Sequence, residues 1–184
     1  MKSIKKLLND IRTNIVVALT TLILLNACTP VKVPDYATPV TNFDINKYVG
    51  KWYEIARLDF KHEKDLNNVT AEYILQEDGS VKVLNRGYNY KKNNWEEAKG
   101  KAKFLGGTSL GALKVSFFGP FYAGYNVVAL DEDYNYALVF GQKTAYMWIL
   151  SREKTIPDSI RTRYVEKAKA AGYNVENLVW TEHD

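Results

Sequence analysis

The 184-residue chain has one cysteine, Cys28, two histidines, His62 and His183, and five prolines. A single thiol excludes a disulfide framework. Two histidines so far apart in sequence offer neither a metal-ligand spacing nor an obvious catalytic pair, and both read as solvated. No apolar run reaches the roughly 18 residues that a membrane-spanning helix needs. Low-complexity tracts are also lacking, and 46% hydrophobic with 25% charged residues is the composition of one globular domain with a true core.

What is present begins with charge. A formal charge of +4 invites a search for an anionic partner such as nucleic acid. Its placement argues otherwise. Lys2, Lys5, Lys6 and Arg12 outnumber Asp10 ahead of residues 15–25, which carry no charge and are apolar around the whole circumference of a helix. This basic head, short apolar segment and small residue Ala27 form a secretory signal over residues 1–27. The remaining 157 residues carry 21 basic and 20 acidic side chains, so nucleic acid is not an expected partner.

Leu25-Asn26-Ala27-Cys28 resembles the lipobox of bacterial lipoproteins. The resemblance implies cleavage before Cys28 and acylation of that residue, and it explains a lone cysteine in an exported chain. Several acyl chains on one residue anchor stably where a single chain is marginal. Thr29, where an Asp would retain a lipoprotein at the inner membrane, implies the outer membrane, on its periplasmic side. Residues 28–41 hold three prolines without apolar periodicity and read as a tether. Extended at about 3.1 Å per residue it would reach on the order of 40 Å. Residues 42–184 are left as the folded domain.

In that domain β-branched and aromatic residues occur in short runs separated by turn residues. The expected strands are 50–60, 69–76, 81–90, 95–104, 112–118, 122–130, 136–141 and 146–152. Eight short strands joined in sequence by tight turns predict an all-β, up-and-down antiparallel barrel. Thr155 and Asp158 suggest a capping box for one helix after it, with Ile160, Tyr164, Ala168 and Ala171 on the face that packs outside the barrel and Gly172 as its stop. Residues 173–180 return as a strand or extended tail.

Period-two alternation sorts the barrel positions. Tyr73, Val83, Phe104, Val115, Phe117, Tyr125, Val127, Val139, Tyr146 and Trp148 fall on the inward side and are the candidate ligand contacts, with Ala98, Gly100 and Ala102 as small inward neighbours. Eight strands enclose a bore that side chains can fill or that one small ligand can occupy. Inward aromatics serve a core as readily as a ligand.

Residues 42–57, with Gly50-x-Trp52 at their centre, resemble the first signature of the lipocalins. Asp131-Glu132-Asp133-Tyr134 resembles the second, and Arg152 after Trp148-Ile149-Leu150-Ser151 the third. The stretch 114–131 is similar to the outer-membrane bacterial lipocalins, relatives of apolipoprotein D. The resemblance implies that Trp52 plugs one end of the barrel under the Arg152 guanidinium. The mouth is then expected at residues 61–68, 91–94 and 106–110, and Glu54 faces inward, as a partner for Arg152 or as a buried proton site.

It also implies a non-enzymatic carrier of fatty acids or lysophospholipids with no cofactor, held at the membrane through Cys28. Haem, bilin or retinoid cargo, an envelope-assembly role through an aromatic patch at Tyr88, Tyr90 and Trp95, and a homodimer stay open on sequence grounds.

Overall fold

β-Branched and aromatic runs interrupted by Gly, Asn and Asp form strands here because each pleated segment buries one face against its neighbours. In the computed structural model, which describes residues 30–184, a short helix α1 (Ile45–Tyr48) precedes β1 (Gly50–Leu58). There follow β2 (Leu66–Leu75), β3 (Val81–Asn89), β4 (Asn94–Phe104), β5 (Ala112–Phe118), β6 (Phe121–Leu130), β7 (Tyr136–Gly141) and β8 (Met147–Ser151). Helix α2 (Asp158–Ala170) and β9 (Leu178–Trp180) end the chain. The signal 1–27 and Cys28 lie outside the described residues.

Each strand from β1 to β8 pairs antiparallel with the next, and β8 returns to β1, closing the expected eight-stranded barrel. Strand β9 pairs with the far half of β1. Strands alternate in direction, so the connections 59–65, 90–93, 119–120 and 142–146 share one end and 76–80, 105–111 and 131–135 the other. The expectation that 106–110 borders the mouth is therefore incorrect. Those residues belong to the closed end, where Leu110 bridges Thr41 and the Phe43 N–H donates to the Ser109 carbonyl at 2.9 Å.

Two apolar cores result. One fills the barrel interior with Tyr48, Trp52, Tyr73, Val83, Val127 and Val139 among its buried members. The other lies outside, between the wall and α2, where Tyr164 and Ala168 are fully buried and the Tyr164 hydroxyl donates to the Tyr136 carbonyl at 2.9 Å. The capping box is absent. Pro157 is the N-cap, makes no side-chain cap bond, and supplies the fixed φ that starts the helix.

Part of the expected tether is not free chain. Ala37 is buried in the outer core, the Tyr36 hydroxyl donates to the Gly141 carbonyl at 3.2 Å, and Val40 exchanges main-chain bonds with Val127 and Gly111. Residues 36–41 form a strap from the open end, at Gly141, to the closed end, at Leu110. Without apolar periodicity this docking had no sequence signal.

Candidate functional site

The closed end is built around Trp52. It has no exposed surface, its indole N–H donates to the Tyr48 carbonyl at 2.8 Å, and the Arg152 guanidinium lies 3.9 Å over its ring. Arg152 also donates to the carbonyls of Lys47, Tyr48, Val49, Lys51 and Tyr134 at 2.8–3.2 Å. One cation thus gathers α1, the start of β1 and the β6–β7 turn into a floor. Gly50 enters β1 at φ +95°, a conformation that side chains disfavour, and a Cβ there would stand 3.5 Å from Arg152. The glycine of Gly-x-Trp is explained by that turn.

Above the floor, Tyr125 shares its hydroxyl with Tyr48 at 2.6 Å and Tyr73 at 2.9 Å. Burial raises the pKa of all three phenols, which stay neutral donors and acceptors. Val83, Val127 and Val139 complete this packed half with almost no exposure. Phe104, Val115, Tyr125 and Trp148 pack against it while partly exposed.

The open half is different. Ala98 opposes the interior residue Asn85, and Ala123 opposes Val115, yet both alanines are exposed, so solvent enters the bore along the β3–β6 wall. Phe117 fits against this wall because residue 100 is glycine, where a Cβ would come within 2.9 Å of its ring and 3.0 Å of the Ser116 carbonyl. Gly100→Ala is expected to displace the ring and cost about 1–3 kcal/mol by overpacking. Urea denaturation checks this, and unchanged stability would refute the fit. Tyr146 stacks with Trp148, and Phe60 meets both edge-on, at the mouth.

The facing wall carries charge that alternation did not place. Glu54 and Arg57 are 3% and 1% exposed and form a 2.8 Å ion pair. Arg57 also donates to the Glu63 and Leu66 carbonyls, and the Thr181 hydroxyl donates to Glu54 at 2.7 Å. The Trp148 indole N–H donates to the Glu63 carboxylate at 3.0 Å. Burial first, then the charge of Glu54, pushes Glu63 up to about 8, so it is protonated at neutral pH. The Nε–H of Arg57 has no hydrogen-bond acceptor although it is buried.

This polar wall corrects one expectation. The partner of Glu54 is Arg57, not Arg152. Counted by strict alternation from Trp52, Arg57 faces outward. A bulge between Glu54 and Ala56 turns it inward, opposite Trp148. His183 is also held, its Nε2 lying 2.8 Å from the Glu54 carbonyl and its ring edge-on to Tyr53.

A recess of about 480 Å³ opens beside this cluster, lined by Arg57, Asp59, Leu66 and Tyr90 with residues 179–182 of the C-terminal segment. A second, of about 610 Å³, lies on the outer surface at Val40, Asp131, Arg163 and Lys167. Among the described residues no three His, Cys, Asp or Glu side chains are grouped to hold a metal ion.

A barrel plugged at one end by a buried Trp under a partly exposed Arg and entered at the other defines a calyx of the kind that holds a small hydrophobic ligand. The chain belongs to the lipocalins, its residues 43–183 matching the family model described as a lipocalin-like domain. It is 47% identical over 168 residues to the outer membrane lipoprotein Blc of Citrobacter freundii, covering 91% of this chain and 95% of that protein. It is 46% identical to the protein of the same name in Escherichia coli K12, with the same coverage. Mouse apolipoprotein D is 33% identical, over 77% of each chain. Among solved structures, tobacco hornworm insecticyanin superposes with a TM-score of 0.65 at 22% identity, covering 85% of this chain and 88% of that one, a likeness of fold.

Proposed function

We propose that the chain is an outer-membrane lipoprotein, cleaved after Ala27 and acylated at Cys28, that binds fatty acids or lysophospholipids in the open half of its barrel. The observation that carries this reading is the division of the lumen. Val115, Phe117, Tyr125 and Trp148 offer an apolar lining beside small residues, while Arg57, Glu54 and neutral Glu63 face them. An amphiphile needs that combination.

Burying a chain of about sixteen carbons offers on the order of 12 kcal/mol before the costs of association. About 8 kcal/mol net is already micromolar. The tyrosines and valines of the packed half form the floor that the chain end meets, and Tyr146 and Phe60 flank the entrance. The relatives named as outer membrane lipoproteins support the location and, with the lipobox, the anchor.

Titration with a fluorescent fatty acid, displaced by palmitate or a lysophospholipid, tests the reading. Saturable micromolar binding is expected, weakened at least about tenfold by Phe117→Asp, which puts a carboxylate against the lining. Wild-type affinity in that variant, with circular dichroism unchanged, would sink the proposal. Mass spectrometry of the protein extracted from its membrane identifies the native occupant and separates lipid from haem, bilin or retinoid.

A further inference from the structure

The connections at the open end carry a chemistry that ligand binding does not use. Phe118 and Phe121, either side of the Gly119–Pro120 turn, are 77% and 73% exposed. Tyr90 and Trp95, at the neighbouring β3–β4 connection, are about half exposed. Among the described residues only Ile74 and Leu75 rival them at the closed end, and these barely exceed a third. Aromatic rings left in water at loop tips gain free energy wherever an apolar phase meets a polar one, because the ring is buried while its polar edge stays wet.

The same end also carries positive charge. The open-end connections and the strand ends beside them carry Lys61, Lys64, Lys91, Lys92 and Lys143 against Asp59, Glu63, Asp65 and Glu96, and each of these acids already has a cationic neighbour. Lys61, Lys64 and Lys143 make no ion pair with any described residue. The closed end mixes the two signs, with Lys47, Lys51, Lys101, Lys103, Arg152 and Lys154 beside Glu77, Asp78, Asp131, Glu132 and Asp133. The open rim therefore presents lysines that have no ion-pair partner among the described residues, and an anionic surface attracts them within a Debye length of about 8 Å.

The strap supplies a third, independent observation. The first of its residues fixed by a long-range hydrogen bond, Tyr36, is held at the open end by the Gly141 carbonyl. Cys28 precedes it by eight residues, a reach of at most about 27 Å. An anchor that short is satisfied most easily with the mouth toward the membrane.

We propose that the open rim docks on an anionic phospholipid surface, with Phe118 and Phe121 entering the headgroup layer and the lysines around the mouth meeting phosphates, so that the lumen opens toward the bilayer. Its use rests on the lipid-binding reading above; its existence rests on the rim. Free lipid then exchanges between bilayer and lumen without crossing water.

The test uses the acylated chain reconstituted in vesicles of phosphatidylethanolamine and phosphatidylglycerol. Because Cys28 is the sole native cysteine and is consumed by acylation, Phe118→Cys and Asp78→Cys each take one environment-sensitive fluorophore. The probe at 118 is expected to shift blue and to be quenched by headgroup spin-labelled lipid roughly fivefold more than the probe at 78. Lys61→Glu with Lys64→Glu and Lys143→Glu, all exposed positions, is expected to remove most of that difference.

Equal quenching at both positions would overturn the proposal. So would a blue shift at 118 without quenching, which assigns the rim to a protein partner or a second copy. A chain that also takes label at Cys28 refutes the anchor alone, and rim docking is then read from the same quenching on added vesicles.

Discussion

Trp52→Ala is expected to lower the free energy of unfolding by about 3–5 kcal/mol, the range for truncating a fully buried aromatic side chain. Three losses coincide at this position. The indole leaves a cavity beneath Tyr48, whose ring packs 4.9 Å away. The Tyr48 carbonyl loses the indole N–H. Arg152 loses the ring beneath its guanidinium, a contact of about 0.5–2 kcal/mol, and its remaining bonds then hold a floor with a hole under it. Trp52→Phe keeps most of the volume and a ring face, so a smaller loss of about 1–2 kcal/mol is expected from the hydrogen bond and the reduced packing. Urea titrations of both variants measure this, and a loss below about 1 kcal/mol for the alanine variant would show that Trp52 does not secure the closed end.

Stability is expected to fall as pH rises from about 4.5 to about 8, because of Glu63. Its folded pKa lies near 8, above the ordinary glutamate value of 4.5 that applies to the unfolded chain. Below pH 4.5 both states hold the proton and the group is neutral to stability. Between the two values the unfolded chain releases it while the folded chain keeps it, and the balance shifts toward unfolding by up to about 1.4 kcal/mol per pH unit. Above pH 8 the slope vanishes. The groups that face Glu63 act in opposite senses: Glu54 raises its pKa, whereas Arg57 and the Trp148 indole lower it. Glu63→Gln keeps the shape and an acceptor for Trp148, and it is expected to flatten the profile and exceed the wild type in stability at pH 8. Parallel profiles for the two proteins would refute the buried proton.

The sequence made the barrel legible through particular residues. Gly50, Trp52 and Arg152 are far apart in the chain, yet each is determined by the same floor, which is why their pattern survives as a signature. The strands were readable because turn residues such as Gly79 and Asn93 take positive φ between pleated runs. Arg57 was hidden by the bulge after Glu54, since a period of two holds only in an unbroken ladder. Glu63 stands in a connection without periodicity, and its burial depends on Trp148, 85 residues away. The misplacement of residues 106–110 had a remedy in topology. In an up-and-down barrel alternate turns share an end, so the β4–β5 connection had to join the β2–β3 turn beneath the floor.

Residues 181–184 have a consequence for folding order. The Thr181 hydroxyl completes the Glu54–Arg57 network, the Thr181 N–H donates to the Ile55 carbonyl, and Asn68 bonds both Glu182 and Asp184. The first strand thus acquires its last neighbours only when residues 181–184 arrive. Pairings of such long sequence separation form late and pay the largest loop-closure cost. A charged pair whose burial joins residues 54–57 to residues 181–184 is completed only by a contact across almost the whole domain. The upper half of β1 is thereby expected to be among the last parts of the barrel to be secured as the chain folds.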